Sequence, residues 1–284
     1  MAYVNMKQML EKARKERYAV GAFNIVNYLT AQAVIDAAEE LNSPLILQTS
    51  ASTVKQIGVK ELADMLIPMA KRAKIPVAIH LDHCTDIELV KKCIDAGWSS
   101  VMIDASKLPL EENIKQTKEV KEYAEGKDVT VEGELGAIVG VEDDIVVEEG
   151  EEALASVEKS KIYLEATNID AFAPAIGTAH GLYKGEPRID FDRFTEIEKL
   201  SSCPLVIHGG TGLAADVFKK LIALGGAKIN ISTAIKIAYC GGMNEYTVQR
   251  PAENNPLKLD KYVSDAVKRI AKEHIELFGS VNRA

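Results

Sequence analysis

Eight short apolar segments, separated by segments with helical spacing, constrain the fold of this chain more than any other feature. Each is bounded by turn residues and lacks strict alternation, which is typical of strands buried on both faces of a parallel sheet. They are residues 19–24, 44–48, 77–83, 99–106, 129–135, 171–177, 204–210 and 227–233. The intervening segments with the apolar spacing of amphipathic helices include residues 30–42, 59–73, 87–97 and 214–225.

This alternation predicts the fold class. Parallel strands joined by helices require right-handed crossovers, and eight such units in 284 residues predict a closed (β/α)8 TIM barrel, for which about 250 residues is typical. An open doubly wound sheet is the alternative, and a GxGxxG turn after the first strand would favour it. Residues 24–27 read Asn-Ile-Val-Asn and provide no such turn. Because no linker or low-complexity tract interrupts the pattern, we predict one domain over residues 1–284.

Two long segments interrupt the alternation. Residues 136–170 are expected to form a loop, mobile and close to the active site, before a helix around residues 151–166. Residues 241–257 are polar and contain two prolines. We expect them to form either an arm that reaches a partner subunit or an ordinary surface loop, before a last helix that ends near Phe278. The C-terminal arm and helix together span about residues 241–284.

Composition excludes several classes of protein. The formal net charge of −8, with no basic stretch to offset it, argues against binding to nucleic acid or to an anionic membrane. No apolar run approaches the ~20 residues that span a bilayer. The four cysteines show neither CxxC spacing nor the density of a disulfide framework. We therefore expect a cytoplasmic protein.

Polar residues follow the C-terminal ends of the apolar segments, where active sites of a parallel barrel lie. They are Asn24, Gln48, Thr49, Ser50, Asp82, His83, Asp104, Ser106, Glu132, Glu134, Thr178, His180, His208, Asn230, Ser232 and Thr233. Three of the five histidines, His83, His180 and His208, should meet at this rim. Three imidazoles with an open position are a known arrangement for catalytic zinc. Asp104 and Glu134 are expected to hold a second cation or to orient the histidines.

Glycines after the last two strands provide a second signal. Gly209 and Gly210 end the seventh apolar segment, Thr211 follows it, and Asn230–Thr233 end the eighth. The loops after these strands bind phosphate in many barrels, through backbone N–H groups near a helix N-terminus. Gly181 could add a close backbone approach and Lys184 a countercharge. The alternative is that the glycines only permit tight turns, but beside three histidines they predict a phosphorylated substrate.

Several long motifs carry a resemblance to a known family. They are YAVGAFN, HLDH, SVMIDAS, VEGELG followed by GVEDD, AIGTAHGLYKGEP, PLVIHGGTGL and KINIST. Over nearly its full length the chain resembles the class II, zinc-dependent ketose-bisphosphate aldolases. The resemblance implies a (β/α)8 barrel, a lyase of carbohydrate metabolism such as glycolysis, and a homodimer or homotetramer.

The resemblance also implies a role for each matching residue. His83, His180 and His208 would bind the catalytic zinc, and Asp82 would be the acid/base group at the C4 oxygen. Asp104 and Glu134 match a second metal position, for a divalent or monovalent cation. The residues that match the dihydroxyacetone phosphate site are Gly181, Gly209, Gly210, Thr211, Asn230, Ile231, Ser232 and Thr233. Ser50 matches the aldehyde side of the pocket, and Glu142 matches a residue proposed to move the proton at C3.

The substrate is less closely defined than the reaction. HGGTG and YKGEP look like the fructose-bisphosphate members, whereas GTAHGLY and STAIKIAY look more like tagatose-bisphosphate enzymes. We expect cleavage of fructose 1,6-bisphosphate to dihydroxyacetone phosphate and glyceraldehyde 3-phosphate. Tagatose 1,6-bisphosphate, or another ketose phosphate that yields dihydroxyacetone phosphate, is the alternative.

Three alternative functions or mechanisms fit the residues less well. A lysine Schiff base is the other enzymatic route to aldol cleavage, but residues 171–177 contain no lysine. Lys228 begins the eighth apolar segment, which predicts that it lies at the end of the barrel away from the rim. A metal-dependent barrel hydrolase would use the same histidines, but the paired glycine loops argue against it. A phosphosugar-binding protein without activity would not need both Asp82 and three histidines.

Overall fold

The strands are short and mostly buried, as the apolar segments predict. The structure, a computed structural model, describes residues 2–142, 145–147, 154–183 and 185–284, with the backbone alone for residues 139, 141–142 and 145–147. The strands of the described residues are β1 (Val20–Asn24), β2 (Leu45–Ser50), β3 (Val77–Cys84), β4 (Ser100–Ile103), β5 (Thr130–Leu135), β6 (Val139–Glu142), β7 (Ile145–Val147), β8 (Ala171–Pro174), β9 (Ala179–His180), β10 (Leu205–Ile207) and β11 (Gly226–Ile231).

Helices follow the strands with few residues between them. In the same part of the chain they are α1 (Lys7–Glu16), α2 (Tyr28–Glu40), α3 (Ala51–Ile57), α4 (Val59–Arg72), α5 (Ile87–Ala96), α6 (Leu110–Ala124), α7 (Val157–Thr167), α8 (Phe191–Leu200), α9 (Ala215–Leu224), α10 (Thr233–Gln249) and α11 (Pro256–Leu277). The local sequence determines where several of these helices begin. Asn27 and Thr30 form a capping box on α2, and the Asp86 side chain accepts hydrogen bonds from the first turn of α5.

Eight of the strands close into a parallel barrel in the order β1-β2-β3-β4-β5-β8-β10-β11, and β11 pairs again with β1. Each of the eight predicted apolar segments overlaps one barrel strand. The (β/α)8 prediction is therefore confirmed. The open doubly wound sheet is excluded, because such a sheet would leave two edges unpaired where β1 and β11 pair here.

Residues 241–257 differ from their prediction. They do not form one extended loop, because α10 continues to Gln249 and α11 begins at Pro256. That these residues form an arm to a partner subunit stays a prediction. Proline is compatible with the first position of a helix, where its missing N–H has no partner in any case. Gly242 lies against Val263 of α11, so a small residue allows the two helices to approach. The last helix ends at Leu277, with Phe278 at its C-cap, as predicted.

Parts of the segment 136–170 also form strands instead of the predicted loop. Strands β6 and β7 pair in antiparallel fashion, and β6 pairs in parallel with β9 to form a small second sheet. Gly140 has a φ of 113°, and a Cβ built on it would lie 2.2 Å from the His180 carbonyl oxygen. Glycine at position 140 therefore lets β6 lie directly against His180 of β9, a predicted metal ligand. Helix α7 begins at Val157, after the Ser156 N-cap, which is later than expected.

No helix among the described residues has the length and apolar character required to cross a bilayer.

Candidate active site

The three predicted histidines meet at the C-terminal rim of the barrel. His83 lies near the end of β3, His180 lies in β9, and His208 directly follows β10. His83 Nε2 and His208 Nδ1 are 2.7 Å apart, and the centroids of the His83 and His180 rings are 4.8 Å apart. One nitrogen from each ring lies within 4.8 Å of the other two, and all three residues are buried.

A local irregularity turns both Asp82 and His83 into this site. In a regular strand, neighbouring side chains point to opposite faces of the sheet. The register of β3 with β4 shifts between Leu81 and Cys84, and His83 has a φ of 42°, in the left-handed region. Such a conformation is uncommon for a residue other than glycine. It allows an acid and an imidazole adjacent in sequence to serve one pocket.

Asp104 and Glu134 lie beside the histidines. Asp104 Oδ2 is 2.9 Å from His83 Nδ1, and its Oδ1 accepts hydrogen bonds from the Ser106 amide at 3.1 Å and hydroxyl at 2.7 Å. Glu134 Oε2 is 3.4 Å from His208 Nδ1 and 3.9 Å from His83 Nδ1. Among the described residues this oxygen is buried without a hydrogen-bond partner.

The charges of this cluster shift its proton affinities. Burial lowers the pKa of His83, but Asp82, Asp104 and Glu134 outweigh burial and hold it well above its usual value. Burial raises the pKa of Asp104, but the hydrogen bond and charge of His83, together with the hydrogen bonds from Ser106, outweigh burial and leave this pKa below its usual range. Burial and the neighbouring charge of Asp104 raise the pKa of Glu134 well above its usual value.

These residues fit a divalent metal ion. The imidazoles of His83, His180 and His208 offer three nitrogen ligands that already converge, as in catalytic zinc sites with one open position. His83, Asp104 and Glu134 form a second group whose ligand atoms lie within 4.8 Å of one another. The unpartnered oxygen of Glu134, in the second group, lies 3.4 Å from His208 Nδ1 of the first, and a bound cation would satisfy it.

Asp82 is held by amides from two other strands. Its Oδ2 accepts a hydrogen bond from Asn24 Nδ2 and its Oδ1 accepts one from Asn230 Nδ2, each at 3.0 Å. Gln48 in turn donates to Asn24 Oδ1 at 2.9 Å. Asp82 is fully buried, so these bonds compensate its desolvation and fix its orientation.

The predicted phosphate-binding residues line one small cavity beside the histidines. Those that line it are Gly181, Gly209, Gly210, Thr211, Asn230, Ser232 and Thr233, together with His180, a predicted metal ligand. The cavity lies at the N-terminus of α10, whose Ala234 amide donates to Thr211 Oγ1 at 3.2 Å. Ser232 Oγ is buried without a hydrogen-bond partner among the described residues. Backbone N–H groups, a helix N-terminus and an unpartnered hydroxyl suit an anionic oxygen.

Glycine is required at two positions of this cavity. Gly209 has a φ of 66°, and a Cβ built on it would lie 2.4 Å from the Ala179 carbonyl oxygen. A Cβ on Gly210 would lie 2.7 Å from the Asn230 carbonyl oxygen. Both distances are too short for a side chain, so the turn after β10 depends on the absence of one.

Four predicted site residues either do not line this cavity or lie outside the described residues. Ile231 does not line the cavity, because its side chain is buried in the hydrophobic core, and a contact with substrate could come only from its backbone. Ser50 lies beside Asp82 in the register of β2 with β3, where its hydroxyl caps α3. Lys184 lies outside the described residues. So does the side chain of Glu142, whose backbone ends β6.

Sequence reasoning missed a buried ion pair below the histidines. Lys228 Nζ donates to Glu132 Oε2 at 2.8 Å and to Oε1 at 3.1 Å, with both side chains fully buried. Lys228 was expected at the far end of the barrel, but its side chain reaches the interior. Lysine is almost never fully buried without a partner, so a lone lysine in an apolar strand was the signal for this pair.

Comparison with known proteins agrees with this geometry. The family model described as "Fructose-bisphosphate aldolase class-II" matches residues 4–283. A sulfofructosephosphate aldolase from Alkalicoccus urumqiensis is 40% identical over 100% of this chain and 99% of its own length. A fructose-bisphosphate aldolase from Thermus caldophilus is also 40% identical, over 98% of each chain.

A solved structure supports the same assignment. The crystal structure of the YdjI aldolase from Escherichia coli K12 superposes with a TM-score of 0.87 at 32% identity, over 99% of each chain. With the family match over nearly the whole sequence, it identifies the chain as an enzyme of the lyase class from a metal-dependent family. The chain belongs to the class II fructose-bisphosphate aldolases.

Proposed function

We propose that this enzyme catalyses the zinc-dependent, reversible cleavage of fructose 1,6-bisphosphate to dihydroxyacetone phosphate and glyceraldehyde 3-phosphate. The observation that carries the proposal is the convergence of three imidazoles, one oriented carboxylate and a small cavity lined by glycines and hydroxyl groups at one rim of the barrel. Each part matches one requirement of the reaction: a Lewis acid, a proton carrier and a phosphate anchor.

The reaction requires stabilisation of negative charge. Breaking the C3–C4 bond leaves a carbanion next to a ketone, which is tolerable only as an enediolate. A zinc ion held by His83, His180 and His208 would supply Lewis acid stabilisation of that charge. Asp104 and Glu134 would orient His83 and His208 or hold a second divalent or monovalent cation, as their grouping with His83 allows.

Asp82 would carry the proton at the C4 oxygen. In cleavage it would remove the proton of the C4 hydroxyl, and in synthesis it would return that proton. The amides of Asn24 and Asn230 both donate to Asp82, so they hold its carboxylate in one orientation. A positioned carboxylate beside the reacting oxygen is what general acid–base catalysis requires.

The remaining residues would bind the two halves of the sugar. The phosphate of dihydroxyacetone phosphate would occupy the cavity formed by Gly181, the turn at Gly209–Thr211 and the strand end at Asn230–Thr233. Lys184 would add a countercharge there, and Ser50 would contact the aldehyde half. Glu142 would move the proton at C3. The assignments of Ser50 and Glu142 rest on the resemblance to the family, and that of Lys184 rests on its position three residues after Gly181.

A Schiff base is not part of the proposal. Lys228, in a barrel strand, is fully buried and donates both its short contacts to Glu132. An amine that must attack a carbonyl needs to be deprotonated and to reach the substrate. A paired ammonium below the histidines meets neither requirement.

A second substrate deserves a direct test, because the two curated relatives are equally similar. Both are 40% identical to this chain, yet one is named for fructose bisphosphate and the other for sulfofructosephosphate. Both names describe a fructose phosphate that carries a further anionic group. The second candidate is therefore aldol cleavage of the sulfonated sugar phosphate by the same residues.

One experiment separates these substrates. Purified enzyme is supplied with fructose 1,6-bisphosphate, tagatose 1,6-bisphosphate or sulfofructose phosphate, with zinc and after metal removal, and released triose phosphate is measured. We expect zinc-dependent cleavage, with the highest kcat/KM for fructose 1,6-bisphosphate. A higher value for one of the other sugars would reassign the substrate, and cleavage of none would overturn the proposed reaction.

We also propose a cytoplasmic homodimer or homotetramer. Large apolar side chains are exposed on the last two helices, with Val248 71% and Leu257 75% accessible. Such side chains on neighbouring helices are consistent with burial against another subunit. Light scattering coupled to size-exclusion chromatography tests the assembly, and a monomer at micromolar concentration would contradict it.

A further inference from the structure

The buried ion pair Glu132–Lys228 lies directly below His208 and has no role in the proposed chemistry. Glu132 projects from β5 and Lys228 from β11, so the pair crosses the interior of the barrel. Glu132 Oε1 lies 2.8 Å from His208 Nε2. The same carboxylate therefore contacts both the lysine and one of the three predicted metal ligands.

The contact constrains the protonation of His208. A carboxylate held beside a buried ammonium accepts hydrogen bonds, since the ionised pair is favoured over an isolated buried charge. Its neighbour, His208 Nε2, must then be the donor. The other nitrogen, Nδ1, lies 2.7 Å from His83 Nε2 and faces the histidine cluster.

From this arrangement we infer that Glu132, held in place by Lys228, is a positioning residue that fixes the Nε2–H tautomer and ring orientation of His208, so that Nδ1 is the nitrogen presented to the metal. Carboxylates that accept a hydrogen bond from the distal nitrogen of a metal-binding histidine fix its tautomer and raise its basicity. Lys228 acts through Glu132, because its ammonium contacts both carboxylate oxygens and limits their rotation.

Asp104 provides an internal comparison. Its Oδ2 lies 2.9 Å from His83 Nδ1, so His83 has a carboxylate on its outer nitrogen just as His208 does. The two rings are thus oriented by two carboxylates, Asp104 directly after β4 at the rim and Glu132 within the neighbouring β5 in the barrel interior. The inference rests on the proposed metal-binding role of these histidines, and it adds which nitrogen of His208 is used and what selects it.

The first test reads the tautomer without any change to the pair. Apoprotein labelled with ¹⁵N-histidine is examined by long-range ¹H–¹⁵N NMR, and the His208 signals are identified by their absence in a His208→Asn variant. We expect the proton of His208 on Nε2. A proton on Nδ1 in the wild-type apoprotein would overturn the inference.

The second test measures metal binding in a variant that leaves no unpaired buried charge. In Glu132→Gln/Lys228→Met, zinc affinity is determined by competition with a chromophoric chelator, and folding of the apoprotein is verified by circular dichroism. We expect zinc to bind about 10–100-fold more weakly. A folded double variant with wild-type zinc affinity would contradict the positioning role.

A matched control separates positioning from general damage to the core. Ser43 is also fully buried and hydrogen-bonded, to the Pro44 carbonyl and to Ser280, but it lies before β2, away from the rim. Ser43→Ala should leave zinc affinity within twofold of wild type. An equal loss in this control would mean that the effect is structural. Neither test uses a sugar substrate, so failure of the proposed reaction and failure of this inference give different results.

Discussion

His83 Nε2 and His208 Nδ1 lie 2.7 Å apart, although 125 positions separate the two residues in the chain. Nitrogens this close either share a proton or face a common ion. The outer nitrogens of the two rings contact Asp104 and Glu132, so each ring is held by a carboxylate with its inner nitrogen toward the other. The barrel thus brings together, from residues distant in sequence, imidazoles that could hold one metal ion.

Replacement of Asp82 tests the proton carrier. Asp82→Asn keeps the size of the side chain but removes its capacity to accept a proton, so we expect kcat for aldol cleavage to fall about 10²–10⁴-fold. Zinc affinity should change less than tenfold, because Asp82 is not one of the three imidazole ligands. Steady-state kinetics and zinc competition provide the two measurements.

The matched control for that change is Asp86→Asn. Asp86 caps α5 outside the site, and asparagine serves as an N-cap about as well as aspartate. It should retain wild-type kcat. If Asp82→Asn also retained kcat within threefold, another group would have to carry the proton.

Gly210 tests the phosphate cavity. In Gly210→Ala the new Cβ would meet the Asn230 carbonyl oxygen at 2.7 Å and Ile229 Cγ2 at 2.9 Å, so the turn after β10 must shift. We expect KM for fructose 1,6-bisphosphate to rise at least about tenfold, the effect of 1.4 kcal/mol of lost binding. Zinc affinity, measured in parallel, should change by a smaller factor.

Gly241→Ala is the matched control for Gly210→Ala, because Gly241 lies outside the cavity. It lies within α10, and a Cβ there would meet no described atom within 4 Å. Gly241→Ala should leave KM unchanged and stabilise the helix by about 0.5–1 kcal/mol, visible as a higher Tm. Equal KM values for the two variants would place the phosphate elsewhere.

The Tyr183 hydroxyl links the backbone of β9, which contains His180, to the turn at Gly209, and replacing it tests this link. This hydroxyl accepts a hydrogen bond from the Ala179 amide at 3.0 Å and donates one to the Gly209 carbonyl at 2.8 Å. Burial raises the pKa of this hydroxyl to about 12, so it remains a donor at neutral pH. Tyr183→Phe removes one oxygen and leaves the Ala179 amide without this partner, at a cost of about 1–3 kcal/mol.

We expect Tyr183→Phe to lower kcat/KM about tenfold in cleavage assays, since both the metal and the phosphate regions loosen. Tyr123→Phe is the control, because the Tyr123 hydroxyl donates to Asp95 at an exposed site away from the histidines. Its kcat/KM should match wild type. Loss of activity in the control but not in Tyr183→Phe would show that this tie is dispensable.

Metal removal distinguishes the two classes of aldolase chemistry. We expect chelator-treated enzyme to lose cleavage activity and to regain it with added zinc. Borohydride added with substrate should trap no covalent adduct, because Lys228 is paired with Glu132. A borohydride-trapped adduct on chelator-treated protein, detected by mass spectrometry, would contradict the zinc mechanism.

Much of this fold could be predicted because the barrel strands are apolar runs that end in polar groups. The rule that parallel strands end at one rim was enough to bring His83, His180 and His208 together. The Glu132–Lys228 pair could not be predicted in the same way. Its partners are 96 positions apart, and their pairing depends on which side chains meet across the interior.

Other misses have local causes. Polar residues and two prolines made 241–257 look like a loop, but the prolines fall after α10 and at the start of α11, so neither interrupts a helix. Ile231 shares a strand end with Asn230, but adjacent residues of a strand face opposite sides, and its side chain enters the core. Motif position alone does not give side-chain direction.

The most direct test of the central claim is the position of the metal. Crystals grown with zinc are measured at wavelengths above and below the zinc absorption edge, and an anomalous difference map is calculated. We predict one strong peak about 2.0–2.1 Å from one nitrogen of each of His83, His180 and His208. An active, zinc-loaded enzyme whose peak lies away from these three imidazoles would contradict the account.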